Sequence, residues 1–178
     1  MGKVIYYSAV SIDGFIATEE HGLDWLFSLT GFTEHERLYA EFYSGIGALV
    51  MGAETYRFLL DQGEEWPYQD LPCWVFSHSE LPRIKGAENV LFVHDDVSKV
   101  HSQAVSAAGE QDVWMVGGGN LAAQFHEAGL LNELYLSVVP FVLGSGKRLL
   151  PISTATSQLE LLSQRAFGGG VLELRYAL

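Results

Sequence analysis

Trp114-Met115-Val116-Gly117-Gly118-Gly119-Asn120-Leu121-Ala122 sets three consecutive glycines between an apolar, strand-like run and the start of a helix. Glycine loses more chain entropy on folding than any other residue. A run of three therefore needs unusual backbone dihedrals, or something packed directly on the backbone. Such a junction offers free amides and the positive end of a helix dipole to a phosphate. The run also fits G-x-G-x-x-A, but a Rossmann fingerprint belongs on the first βα unit, with an acidic residue about 20 positions further on. Here the glycines follow a late strand. The Rossmann reading is rejected, and a phosphate cradle is kept against the alternative of a structural turn.

Two further junctions share this character. Val50-Met51-Gly52-Ala53-Glu54-Thr55-Tyr56-Arg57 places a glycine between a buried strand and a helix, with a hydroxyl in the first turn; an ordinary tight turn is the other reading. Val75-Phe76-Ser77-His78-Ser79 carries polar groups just beyond a third strand. In open α/β sheets, ligands bind outside the carboxyl ends of the strands, and all three junctions lie at that edge.

The rest of the chain alternates strand-like and helix-like pieces, which predicts a mostly parallel sheet covered by crossover helices. Strands are expected at Val4–Val10, Ala48–Met51, Leu71–Ser77, Val90–Val93, Asp112–Val116, Leu134–Val139, Leu159–Ala166 and Val171–Tyr176. The last two are joined through Gly168-Gly169-Gly170 and read as an antiparallel hairpin at the sheet edge. Helices are expected from Thr33, from about Ala53 to Leu60, from an Asp95-Asp96 cap through about Ala108, and from Asn120 to Ala128. Thr33-Glu34-His35-Glu36 matches the capping box. Residues 17–32 read as a loop.

Composition narrows the partners. The chain has 178 residues, 48% of them hydrophobic, enough for one domain (1–178) with a real core. Its net charge is −12, and its ten basic residues are scattered. Neither nucleic acid nor an anionic membrane is an expected partner. The short apolar start meets Asp13 and reads as a strand rather than a signal peptide, so a cytoplasmic location is expected. The one cysteine, Cys73, excludes a disulfide framework and a cysteine-rich zinc site, and reads as a core thiol. The six histidines show no metal-binding spacing, so no metal site is expected.

Ser8-Ala9-Val10-Ser11-Ile12-Asp13-Gly14-Phe15-Ile16-Ala17 resembles the first strand and loop of the dihydrofolate-reductase superfamily. The Gly52 and triple-glycine junctions follow in the family's order. Pro140-Phe141-Val142-Leu143-Gly144-Ser145-Gly146-Lys147-Arg148-Leu149-Leu150 resembles a loop of the branch that contains the reductase domain of bifunctional riboflavin-biosynthesis enzymes. The resemblance covers nearly the whole chain. It implies a three-layer α/β/α fold with a mostly parallel sheet and a C-terminal antiparallel hairpin. It also implies NADPH as cofactor, with NADH possible, and a homodimer meeting through the Leu134–Val139 edge and the Pro140 loop. By position, Ala9 and Ile16 would border the nicotinamide, Gly52 and Thr55 the pyrophosphate, and Ser77 and His78 the adenosine ribose. Gly117-Gly118 would be joined by a cis peptide, with Gly119, Asn120 and Leu121 along the pyrophosphate.

Two departures bear on the cofactor. Where many members carry arginines, this chain has Ala53 and Asn120; Arg57, Arg83 or Lys85 would have to replace those cations for NADPH. The candidates for catalysis are Asp13, Trp25 in the loop expected to cover the reacting ring, and Glu36, the position matching the pocket carboxylate of folate reducers. Each has a structural alternative: a turn at Gly14, a loop anchor, and the capping box. Lys147 and Arg148 would hold a phosphorylated substrate. The expected activity is NAD(P)H-dependent reduction of a small heterocycle, similar to 5-amino-6-(5-phosphoribosylamino)uracil reduction. Dihydrofolate or pterin reduction and a non-catalytic nucleotide-binding domain are the alternatives. No deaminase motif is present.

Overall fold

The computed structural model describes residues 2–178. Ten strands and five helices occur in the order β1 (Val4–Ser11), β2 (Phe15–Ala17), α1 (Asp24–Phe27), α2 (His35–Tyr43), β3 (Ile46–Gly52), α3 (Ala53–Asp61), β4 (Cys73–Phe76), β5 (Val90–Val93), α4 (Val97–Ala108), β6 (Asp112–Gly117), α5 (Gly119–Glu127), β7 (Glu133–Val139), β8 (Lys147–Arg148), β9 (Glu160–Ala166) and β10 (Leu172–Ala177), with a 3₁₀ turn at Gly168–Gly170 before β10. Eight strands form one sheet in the order β5-β4-β3-β6-β1-β7-β10-β9. From β5 to β7 every pairing is parallel. β10 runs antiparallel to both β7 and β9, closing that side of the sheet as a hairpin.

The central strands are apolar along their length because both sheet faces are covered. In β3 the alternation divides the residues cleanly. Ala48 and Val50 join a cluster with Val100 and Ala104 of α4 and Leu121 and Phe125 of α5. Leu49 and Met51 face the other way, onto a cluster with Tyr56 of α3 and flanking Tyr39 and Phe42 of α2. Helices thus cover both faces, giving three layers. The start of α4 is fixed by Asp96, whose side chain accepts from the Ser98 amide at 2.8 Å. Gly109, at φ 66°, ends it. Cys73 is fully buried in the second cluster, where burial pushes its thiol up, as suits a core thiol. No helix among the described residues is long and apolar enough to cross a membrane.

Four expectations need correction. Helix α2 begins at His35, not Thr33, and the capping box does not form. The Thr33 amide and hydroxyl both donate to the neighbouring Glu34 carboxylate, at 3.1 and 3.3 Å, which leaves Glu36 exposed on the helix. Residues 17–32 are not all loop, for Asp24–Phe27 make one helical turn, too short to show a period. Phe15–Ala17 pairs with Lys147–Arg148 in a second small sheet that sequence spacing could not reveal. Finally, Leu134–Val139 is not an edge. β7 is paired on both sides, by β1 and β10, so it cannot offer its backbone to a second subunit; the edges are β5 and β9.

Candidate functional site

Strand order dictates the site. Along the carboxyl edge of the parallel strands, from one side to the middle, come His94 and Asp95 after β5, Ser77 and His78 after β4, Gly52 at the end of β3, Gly117–Gly119 at the end of β6, and Ala9 near the end of β1. A cleft of about 670 Å³ runs along this edge, and all of these residues line it. Ile16, Thr55, Asn120, Leu121, Lys147 and Arg148 line it as well.

The middle of the cleft is a backbone cradle. Gly52 and Gly118 are the N-cap residues of α3 and α5, and neither helix start carries a side-chain cap. The first-turn amides of two nine-residue helices therefore converge on one place. Both junctions are glycine, and they lie within ordinary contact of each other. A Cβ on Gly52 would lie 3.6 Å from the Gly118 nitrogen, and one on Gly117 would lie 3.2 Å from Thr55 Oγ1. Gly117 has φ +147°, and the Gly117–Gly118 peptide is cis. Gly119 serves a different need: a Cβ there would lie 2.3 Å from the Arg148 carbonyl oxygen and 2.6 Å from that of Leu149. Gly117 thus answers to a left-handed backbone packed on Thr55 and Gly119 to a chain laid across α5, while a Cβ on Gly118 would meet only Thr55 Oγ1, at 4.0 Å. The cradle suits a pyrophosphate, whose charge would meet amides without a side-chain competitor.

The chain laid across α5 is the loop from Pro140 to Leu150, and Asp13 holds it. The Asp13 carboxylate accepts from the Ser11 hydroxyl at 2.7 Å, the Leu143 amide at 3.1 Å and the Gly144 amide at 2.7 Å. Beyond that clamp, Leu149 N–H donates to the Gly14 carbonyl, and the Arg148 guanidinium lies 5.9 Å over the Phe15 ring. The Ser11 hydrogen bond, followed by the two backbone amides, holds the Asp13 carboxyl below its ordinary value of 3.8. A depressed folded-state value means the clamp is complete above the ordinary carboxylate range and is lost as pH falls through the lowered one. Trp25 packs edge-on against Phe141 in the same loop, at 5.9 Å, and reports on it. On acidification below about pH 4, Trp25 fluorescence of the wild type is expected to change as the loop releases. Asp13→Asn should show the released signal already at neutral pH. Superimposable acid titrations of the two proteins would remove Asp13 from this role.

All eleven residues expected to border the cofactor line the cleft, as do Lys147 and Arg148. Asp13, Trp25 and Glu36 do not. Asp13 is a loop clamp, Trp25 packs on the clamped loop, and Glu36 faces outward on α2. Of the replacement cations, Arg83 is spent on the Ala87 and Val90 carbonyls and Lys85 on Glu65. Arg57 is paired with Glu54 and donates to Ser79 Oγ at 3.2 Å. Several lining residues escaped sequence reasoning: Tyr6 and Ser8 on β1, Phe58 on α3, and Glu19 and His21 in the turn after β2. His21 stands at φ 64°, unusual for a non-glycine residue. Burial pushes the Tyr6 phenol up, so it stays neutral as a donor. The only signal of His21 in the sequence is a polar run between Thr18 and Gly22, whose side chain and amide close the turn at 3.0 Å.

Fold and cleft together define a dihydrofolate-reductase-like α/β protein with a glycine-lined backbone cradle at its sheet edge. The chain belongs to the RibD C-terminal domain family, which it matches over residues 2–172. It is 32% identical over 174 residues to the uncharacterized protein YwjB of Bacillus subtilis strain 168, covering 98% of this chain and 97% of that one. Its fold is similar to that of a protein from Shewanella sp. PV-4 provisionally assigned to riboflavin biosynthesis, with TM-score 0.85, 23% identity and 98% of both chains covered. It is also similar to dihydrofolate reductase from Enterococcus faecalis, solved with NADP(H), with TM-score 0.70, 16% identity and 99% and 96% coverage.

Proposed function

We propose that this protein is a reductase that uses a reduced nicotinamide dinucleotide to reduce a small planar heterocycle. The observation that carries the reading is the meeting of two uncapped helix starts, at Gly52 and Gly118, in one cleft beside Ala9 and Ile16. When bound, the dinucleotide supplies the hydride, and the chain supplies orientation, exclusion of water and a proton. The first-turn amides of α3 and α5 would hold the pyrophosphate. Ala9 and Ile16 would border the nicotinamide, and Ser77 and His78 the adenosine ribose.

The reacting end of the cleft lies by β2 and β8. Phe58 and Leu26 give it apolar walls, and Lys147 and Arg148 give it positive charge. That pairing fits a flat ring bearing an anionic substituent, as in a phosphoribosylamino-uracil. His21 and Glu19 line the same end and are the groups there able to pass a proton. The folate-reductase reading loses support, because Glu36 is exposed and outside the cleft. A non-catalytic nucleotide-binding domain is the second reading, favoured by the position of Asp13, Trp25 and Glu36 away from the cleft.

The test is titration of the purified protein with NADH and NADPH, read by nicotinamide fluorescence, followed by loss of nicotinamide absorbance with pyrimidines and pterins. Binding with oxidation by one of these heterocycles is the expected result. Binding without oxidation by either class would move the protein to the second reading, and binding of neither dinucleotide would overturn the proposal.

A further inference from the structure

We propose that the adenosine end of the cleft is built for an unphosphorylated ribose, so that the protein selects NADH over NADPH. This rests on the reductase reading above and adds to it which dinucleotide the site takes.

The end in question is formed by Ser77 and His78 after β4, His94 and Asp95 after β5, and Ala53 and Glu54 in the first turn of α3. No lysine or arginine is among the cleft-lining residues here. The two nearby cations sit behind carboxylates that do line it: Arg57 is paired with Glu54, and Lys99 with Asp95 at 3.0 Å. Each pair is neutral, and the acid is its cleft-facing member. The Ser77 hydroxyl is used within its own turn, donating to the Ser79 carbonyl at 2.7 Å and accepting from the Ser79 amide at 3.2 Å. The His78 and His94 rings stack with centroids 6.4 Å apart. Asn120, in the first turn of α5, is uncharged.

The chemistry then separates the two dinucleotides. A ribose 2′-hydroxyl can donate to a carboxylate, as it does to the acidic residue of other α/β dinucleotide sites. A 2′-phosphate brings a charge of about −1.5 to −2. Here it would meet Glu54 and Asp95 first, and would have to break an ion pair to reach Arg57 or Lys99. Such surface pairs give up little when broken, but the freed carboxylate would still stand beside the phosphate.

The experiment measures NADH and NADPH affinities by nicotinamide fluorescence at about pH 8. Calorimetry with 5′-AMP and 2′,5′-ADP reports the same end without the nicotinamide. NADH and AMP are expected to bind at least about tenfold more tightly than their phosphorylated counterparts, about 1.4 kcal/mol. Glu54→Gln with Asp95→Asn keeps the shape, removes the carboxylate charge and releases both cations, and should close that gap; Ala53→Arg should reverse it. Equal or tighter binding of NADPH by the wild type would overturn the selection while leaving the reductase reading in place. A gap unmoved by the double variant would overturn the assignment to Glu54 and Asp95. Failure of both dinucleotides to bind would overturn both readings.

Discussion

Gly119→Ala is expected to lower the melting temperature by roughly 4–8 °C, and to weaken dinucleotide binding at least about tenfold. Two effects oppose each other. Gly119 is the first residue of α5, and alanine there would gain up to about 1 kcal/mol of helix propensity. Against this, the added Cβ would lie 2.3 and 2.6 Å from two backbone carbonyl oxygens, those of Arg148 and Leu149. Backbone cannot turn aside as a side chain can, so the cost belongs at the upper end of overpacking, about 3 kcal/mol. The clash wins. Relief would come by lifting the Arg148–Leu149 chain off α5, which moves Lys147 and Arg148, or by shifting the α5 start, which moves the cradle. Either shift reaches the cleft, so stability and binding should fall together. Gly45→Ala, whose nearest contact would be the Phe42 carbonyl at 3.6 Å, is the control, expected to stay within about 0.5 kcal/mol. Denaturant midpoints and fluorescence titrations check both; an unchanged Gly119→Ala would mean that the loop yields freely.

This glycine also shows where sequence reasoning succeeds and where it stops. Three glycines at a strand–helix junction signalled unusual dihedrals or something packed on the backbone, and the structure has one at Gly117 and the other at Gly119. It could not say that one of them answers to a carbonyl pair about 30 residues away. The parallel strands and main helices were legible because short apolar runs bounded by turn residues, and helical spacing, are local signals. Strand order, and the β2–β8 pairing that brings Lys147 beside Ala17, are not local and left no trace in spacing. The same division runs through the site. The residues expected at the cofactor line the cleft because they sit on backbone junctions that the fold must place at the sheet edge. Asp13, Trp25 and Glu36 were chosen for side-chain chemistry. Side-chain partners decided otherwise: Ser11 and the amides of Leu143 and Gly144 take Asp13.

Trp66→Ala is expected to cost about 3–5 kcal/mol, which in a chain of this size lowers the melting temperature by roughly 6–20 °C. Trp66 lies between α3 and β4, in a segment with no strand or helix period. It is nonetheless only 1% exposed, and it heads the fully buried side chains. Its ring packs on Tyr68 and Tyr56 at 5.2 and 5.8 Å, and its indole N–H donates to the Tyr68 carbonyl at 3.1 Å. Truncation would open a cavity and leave that carbonyl with one fewer donor. The damage should not stay local. Tyr56 follows Thr55 directly, and its hydroxyl donates to the Pro82 carbonyl at 3.1 Å and accepts from the Ile84 amide at 2.9 Å. The loop after β4 and the first turns of α3 are therefore tied through one ring that rests on Trp66. A loss of stability with unchanged dinucleotide affinity would mean that α3 keeps its place without the indole. A loss of both would show that the cradle at Gly52 and Thr55 is held from beneath by a residue outside every strand and helix. A stability loss under about 1 kcal/mol would contradict the packing argument itself.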